Sequence, residues 1–462
     1  MKVHYKFIPL PPQKTSVVRI ILLVMIFVLG YMCIALEHKL KVDKAAISLV
    51  MFGLIWIVYA LFTGGHGVSH ELIEHLGETC ETLIFLIGAM TIVDLIDTHG
   101  GFYVITKHIR SRNKFKLLWI IAVITFFMSA ILDNLTTTIV MVMMLRKLVS
   151  QTKDRWLFTG MVIIAANSGG AWSPIGDVTT IMLWMRGNIT TGPLVTYLIL
   201  PCIVSLLIPL IFTSFRFKKN DRYFVSRLSL EHRLPQGVGE KFSRGLFFAG
   251  VLALLSVPVL KALFGIPPYV GVMFALGGLW VLTEIIYGNK KEVEESAKNR
   301  VSKVVKHIDM PTILFFLGIL MSVAGLQTAG ILGSVSSFLD TKIHDVFAIT
   351  TIVGVLSSIV DNVPLVAGCM GMYPIADADM IAACADPAYM QTFTQDGLFW
   401  LLLTYCAGVG GSILIIGSAA GVIAMGLEKI DFVWYFKNVT LLALIGYLAG
   451  VAVLYLESIL FL

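Results

Sequence analysis

Charge is what this sequence has least of. Only 14% of its 462 residues are Asp, Glu, Lys or Arg, against about 25% in a soluble globular domain. With 57% hydrophobic residues and a mean hydropathy of +0.86, a soluble domain and a disordered chain are both excluded. Cysteine is scarce too. The six present (Cys33, Cys80, Cys202, Cys369, Cys384 and Cys406) show no C-x-x-C and no paired metal spacing, so they read as small apolar packing residues. No connection is long enough for a second folded domain, and the only low-complexity stretch is the charged loop Lys290 to Lys306.

What is there instead is a series of apolar runs, each near the ~20 residues that cross a hydrocarbon core. They cover Val17 to Leu36, Ala45 to Thr63, Thr82 to Thr98, Pro193 to Phe215, Arg244 to Gly265, Pro268 to Tyr287, Pro311 to Ala329 and Val439 to Leu456. The fold class is therefore an all-α polytopic membrane protein.

The chain resembles itself. Shifted by 230, "TLIFLIGAMTIVDLIDTHG" (Thr82 to Gly100) meets "TILFFLGILMSVAGLQTAG" (Thr312 to Gly330). Shifted by 228, "MSAILDN" (Met128 to Asn134) meets "LSSIVDN" (Leu356 to Asn362), and shifted by 241, "GGAWSPIGD" (Gly169 to Asp177) meets "GGSILIIGS" (Gly410 to Ser418). The order is the same in both halves, and the loop Gly371 to Gly397 absorbs the change of offset. Two repeats follow, 17–215 and 244–462, between an N-terminal extracytoplasmic segment (1–16) and a cytoplasmic linker (216–243).

Within each repeat two apolar stretches are interrupted. The runs on either side of "DNLTTT" are short for full crossings and suit a re-entrant hairpin, about 117–149, matched by about 346–372. The run broken by "NSGGAWSPIGD" reads as two half-helices around an unwound centre, about 156–185, matched by about 398–426. Such backbone is tolerated at membrane depth only inside protein or along a cavity. Five transmembrane helices per repeat, the broken helix counted among them, and one re-entrant hairpin make an odd number of crossings, so the second repeat is inverted relative to the first. Most of the 35 Lys and Arg then collect on one side, which is expected to be cytoplasmic. Both termini are expected on the other side, although Lys2, Lys6, Lys14 and Arg19 oppose translocation of the N-terminus. With no A-x-A cleavage site and no Ser/Arg-rich transit segment, a bacterial inner (plasma) membrane is favoured over a plastid envelope.

An aspartate at the centre of a membrane helix costs roughly 2.5 to 3.5 kcal/mol on insertion scales, so the acids in these interruptions call for a use. Two inverted repeats would bring four irregular segments together, the architecture of an ion-coupled secondary transporter. They offer Asp133, Asn134, Thr136 and Thr137 from the first tip and Asn167, Ser173, Asp177 and Thr179 from the first break. The second half adds Ser357, Asp361 and Asn362 from its tip, and Ser412 and Ser418 from its break. All are oxygen donors, which suit hard cations; no Arg or Lys for an anion lies in these segments. Asp133 and Asp177 are expected to form the ion site. Burial disfavours the charged form of a carboxylate, and a second acid disfavours it further, so the site holds either protons or a small cation such as Na+. Asp361 has bracing of its own hairpin as an alternative role, and Ser357, Ser412 and Ser418 have helix cementing.

Outside the segments, Asp94 in the third crossing is a candidate for a proton path. The external loop "GGHGVSHELIEHLGE" carries His66, His70 and His75, candidates for pH sensing because histidine titrates near neutrality, with a plain solvated loop histidine the favoured reading of His66. A zinc-protease motif needs histidines four apart; His70 and His75 are five apart, so zinc is rejected.

Five stretches carry a specific resemblance: "HLGE" (His75 to Glu78), "IFLIGAMTIVDLID" (Ile84 to Asp97), "LDNLTTTIVMV" (Leu132 to Val142), "NSGGAWSPIGDVTTIMLW" (Asn167 to Trp184) and "SSIVDNVPLVA" (Ser357 to Ala367). Together they resemble the NhaD family of sodium/proton antiporters, within the ion transporter superfamily, over nearly the whole chain. The resemblance implies exchange of Na+ or Li+ for H+ with no cofactor, a scaffold that forms a homodimer, and an elevator-like transport domain. It marks Asp133, Asn134, Thr136, Asn167, Asp177, Thr179, Ser357, Asp361 and Asn362 as functional and His75 as a further candidate for pH response; the family pattern often has Glu at the place of Asp94. Two alternatives stand. A carrier of arsenite or a dicarboxylate in the same superfamily is one, though dicarboxylate carriers use a neutral Ser-Asn-Thr where Asp-Asn stands here. An intramembrane aspartyl protease, suggested by "PIGD", lacks the required Gly at Pro174 and the partner Tyr-Asp; the chain is read as a transporter and not an enzyme.

Overall fold

The computed structural model describes residues 17–35, 37–65, 67–102, 113–149, 151–217, 239–288 and 300–461. The 1–16 segment, most of the 216–243 linker and His66 lie outside the described residues. All regular structure among the described residues is helical, and nine of these helices are long and apolar enough to cross a membrane.

The first half holds α1 (Val17–Ala35), α2 (Lys44–Thr63), α3 (Val68–Thr98), α4 (Lys114–Leu132), α5 (Asn134–Leu148), α6 (Thr152–Ala171), α7 (Val178–Met185) and α8 (Thr191–Ser214). The second holds α9 (Glu240–Phe264), α10 (Pro268–Gly288), α11 (Met310–Thr328), α12 (Ile331–Lys342), α13 (Val346–Leu356), α14 (Asn362–Met372), α15 (Leu398–Gly410), α16 (Ala419–Glu428) and α17 (Leu441–Phe461). Their starts are set by short polar side chains that accept orphan backbone N–H groups. Asp43 caps α2, Asn113 caps α4, Asp309 caps α11 and Asp345 caps α13.

Two boundaries differ from the sequence reading. The stretch read as an external loop, Gly64 to Glu78, is mostly the first half of the 31-residue α3. Its polar residues pair along the helix, His70 with Glu74 and His75 with Glu78, so polarity there marks an exposed helix and not a loop. The arm before Asp133 is also longer, because Asn113 starts α4 at Lys114 and gives it 19 residues.

The helices pack as two sets. One contains α1, α2, α3, α9, α10 and α11; the other contains α4 to α8 and α13 to α17. Contacts between the sets run through α3 with α7, α11 with α14 and α9 with α4, and α12 touches both α11 and α14. Within the second set the halves match: α4 packs on α6 as α13 packs on α15, and α5 meets α16 as α14 meets α7.

The match reaches single atoms. Ser129 donates its hydroxyl to the Ala166 carbonyl at 2.6 Å, and Ser357 donates to Ala407 at 2.8 Å. A Cβ on Gly169 would strike the Phe126 carbonyl, and one on Gly410 the Gly354 carbonyl. Both partners of each contact are related by the offsets of 228 and 241 found in the sequence. The two glycines let backbones touch where any side chain would hold them apart.

Charge is also buried at Glu428. Glu428, at the end of α16, has a fully buried side chain that accepts from Arg146 at 2.8 Å and Arg155 at 2.5 Å. This triad ties α16 to the end of α5 and the start of α6, and without its arginines the Glu428 carboxylate would be a buried charge with no partner.

A candidate ion-binding site

Four interruptions converge. The chain leaves helical geometry at Asp133 between α4 and α5, at 172–177 between α6 and α7, at 357–361 between α13 and α14, and at 411–418 between α15 and α16. Each interruption ends in a residue that caps the next helix. Asp133 accepts from the Thr136 N–H, Asp177 from Thr179, Asp361 from Val363, and Ser418 from Gly421.

Asp177 is the hub. Its Oδ2 accepts from the side-chain amide of Asn134 at 3.1 Å and from that of Asn362 at 3.3 Å. Its Oδ1 accepts the Thr179 N–H at 3.3 Å. Asn134 also donates to Asn167 Oδ1 at 3.2 Å, and Asn167 donates to Ser418 Oγ at 3.0 Å. Residues from all four interruptions or the helices beside them thus form one hydrogen-bonded network around a carboxylate that is 2% exposed.

Asp133 holds a more strained position. Its backbone has φ 78° and ψ 159°, a region essentially reserved for glycine and costing about 1 to 3 kcal/mol for other residues. The carboxylate is braced from its own helix, by the Thr136 N–H at 2.7 Å and the Thr136 hydroxyl at 3.0 Å. Such strain persists only where the surroundings hold it in place, and here it turns a carboxylate toward a cavity.

That cavity, about 320 Å³, lies between the two helix sets. Asp133, Asn134, Asp177, Asp361 and Asn362 line it on one side, Met90, Leu254 and Phe316 on the other, and Glu37, Asp43 and Asp309 stand near the helix ends at its mouth. The mouth residues adjoin the basic loops of the sequence. On the opposite face the two sets are joined by Arg186 and Glu78 at 2.8 Å, and by Lys261, which donates to the Trp184 carbonyl and covers the Trp184 ring at 4.3 Å.

The other sequence candidates divide. Ser173, Ser357 and Ser412 give their hydroxyls to the carbonyls of Ala130, Ala407 and Val409, so they brace backbone beside the network. The hydroxyl of Thr137 is buried with no hydrogen-bond partner among the described residues, while that of Thr179 is buried beside the Asp177 carboxylate. Asp94 sits in the last turn or so of α3 beside Asp97 and outside the lining of this cavity. His75 lies on the far face, with Nε2 3.1 Å from the Thr328 hydroxyl and Nδ1 3.7 Å from Glu78. Sequence reasoning missed the mouth: Glu37, Asp43, Lys44 and Asp309 look like ordinary loop and cap residues until the fold brings them together.

A polytopic helical protein with a buried acidic site between two helix sets belongs to the class of membrane transporters. A family model described as "Citrate transporter" matches residues 22–392. Sodium/proton antiporter 2 of Arabidopsis thaliana is 42% identical over 92% of this chain and 97% of its own, and sodium/proton antiporter 1 of the same plant is 44% identical over 93% and 71%. The Na+/H+ antiporter NhaD of Vibrio cholerae is 32% identical over 92% of this chain and 89% of its own. The chain belongs to the NhaD family of sodium/proton antiporters.

Proposed function

We propose that this protein exchanges Na+ for H+ across the membrane, with Asp177 and Asp133 as the carboxylates that the two ions take in turn. The single observation that carries this reading is the composition of the cavity. Six carboxylates line it (Glu37, Asp43, Asp133, Asp177, Asp309 and Asp361), against one described cation, Lys44. A citrate or other carboxylate substrate would meet repulsion there, whereas Na+ and H+ would both be drawn in. Amide and hydroxyl oxygens at Asn134, Asn167, Thr136 and Thr179 supply the neutral part of a hard-cation shell.

Binding of Na+ requires ionised carboxylates, and protonation removes the charge that binds it. Each ion therefore displaces the other, and an empty charged site is disfavoured by burial. Coupling follows from that exclusion. Li+, a smaller hard cation, is a second substrate on the same reasoning.

Alternating access is assigned to motion of the second helix set, carrying both tips and both breaks, against the first. The matched contacts at Ser129 and Ser357, and at Gly169 and Gly410, support a two-repeat reading of the moving set. Re-entrant hairpins at 117–149 and 346–372 would leave five crossings per repeat and so an inverted second repeat, and the basic face is placed at the cytoplasm. The present conformation is then open to the cytoplasm, with Arg186, Glu78 and Lys261 closing the outside. A homodimer through the first set would hold it still while the second moves.

The test is dequenching of a pH dye in everted vesicles. Additions of NaCl and LiCl should collapse the proton gradient, and KCl, sodium-free succinate and sodium-free citrate should not. A response to citrate without sodium would favour anion transport.

A further inference from the structure

Lys44 is a cation in an acidic cavity, and exchange through Asp133 and Asp177 gives it no task. It begins α2, in the first helix set, yet its Nζ lies 3.8 Å from Oδ2 of Asp361, at the tip of the second set; the two side chains are 25% and 18% exposed. The ammonium also sits 4.5 Å from the centre of the Phe315 ring of α11, an attraction that orients it.

The two tips show why Asp361 takes a partner from outside. Asp133 is braced by the backbone N–H and the hydroxyl of the residue three positions on, Thr136. Three positions beyond Asp361 stands Pro364, which has no N–H and no hydroxyl. Asp361 is left with a 3.3 Å contact from the Val363 N–H to its Oδ1, and Oδ2 faces Lys44. One tip is capped from within and its twin from the opposite helix set.

We infer that Lys44 is a positioning residue for the exchange, a tethered ammonium that neutralises Asp361 and ties the second tip to the first helix set in this conformation. The inference rests on the Na+/H+ reading above. With Asp361 paired, Asp133 and Asp177 are the acids left to trade Na+ for H+, and movement of the tip requires Lys44 to release Asp361. Other charged or titratable groups face the pair: Glu37, whose Oε1 accepts the Lys44 backbone N–H at 3.4 Å, Asp43 beside it in the chain, Asp309 across the mouth, Tyr31 of α1 near Asp361, and Asp177 in the network beside Asp361. These are unchanged in the variants below.

The test is Na+-dependent proton flux in proteoliposomes holding the purified full chain, with KM for Na+ and the pH profile measured. Lys44→Met keeps the apolar stem and removes the charge, and freed Asp361 should lower KM about tenfold and move the profile to higher pH, a change on the scale of one unit charge at close range. Asp361→Asn leaves the ammonium unbalanced and should raise KM about tenfold. The double variant should return to within about threefold of wild type, and Lys44→Arg should match wild type. Opposite single effects that cancel are a signature of charge pairing, because two structural losses would add. Lys44→Gln serves the same arm where the methionine variant does not yield folded protein. Single variants that move KM in the same direction, or a Lys44→Met protein equal to wild type, would overturn the inference while leaving the exchange reading intact. A wild-type protein with no Na+-dependent flux would overturn both.

Discussion

Asn134 and Asn362, one from each half of the chain, donate their side-chain amides to the same atom, Oδ2 of Asp177, at 3.1 and 3.3 Å. Each is the first residue of its helix, α5 and α14, directly after a tip aspartate. The two tips are thus held on one carboxylate that belongs to neither. Two matching helix starts define a single position for an ion.

Removing either amide should weaken ion binding and leave the fold in place. Asn134→Ala and Asn362→Ala are each expected to raise KM for Na+ about tenfold, the scale of a hydrogen bond to a charged group. The double variant should fall short of the product of the two, since both act on one oxygen. Dye dequenching across a Na+ titration measures all three.

Asp133 should show the cost of its backbone. Asp133→Gly relieves a φ of 78°, and Asp133→Ala keeps the strain while losing the Thr136 contacts. The glycine variant is expected to be more stable than the alanine variant by about 1 kcal/mol or more, and neither should exchange ions. Thermal unfolding in detergent compares them, and equal stability would mean that the conformation carries no strain.

Gly169→Ala and Gly410→Ala should both fail to give folded protein, because each Cβ meets a backbone carbonyl of a neighbouring helix. Gly192→Ala and Gly245→Ala, where a Cβ meets nothing within 4 Å, should behave as wild type. Size-exclusion profiles of the four variants separate the cases. Equal damage from Gly169 and Gly410 is the further expectation, since the contact is the same in both halves.

Outside the crossings, the loop between α14 and α15 should loosen in acid. The Tyr389 backbone N–H and then the His344 ring hold the Asp386 carboxyl below its ordinary value. A depressed folded value means that the contribution is complete above the unfolded pKa of about 3.9 and fades as pH falls through the folded value. Hydrogen exchange at Tyr389, corrected for its intrinsic rate, should speed up over that acid window in the wild type. In Asp386→Ala it should be fast throughout.

Much of this was legible in the sequence because membrane helices announce themselves by apolar length and because the polar interruptions are conspicuous within them. The helix breaks at Asp133, 172–177, 357–361 and 411–418 fall on "DN", "WSPIGD", "SSIVD" and "GSILIIGS", where Gly, Pro and capping residues make an unbroken helix costly. The first half of α3 was not legible, since an exposed polar helix and a polar loop share a composition; the spacing of His70 with Glu74 and of His75 with Glu78 is the hint of a helix. The hub role of Asp177 was hidden for another reason. Sequence places the four interruptions in one region but cannot say which carboxylate receives both asparagines. Lys44 was hidden more deeply, because its partner lies in the other half of the chain and the only trace is a proline where the first tip has threonine.

The most direct measurement is uptake of radioactive sodium into proteoliposomes against an imposed pH gradient, wild type beside Asp177→Asn. Accumulation in the wild type, driven by the proton gradient and absent from the variant, is the expected result. Asp177→Asn accumulating sodium as the wild type does would contradict the assignment of Asp177 as the seat of the exchange.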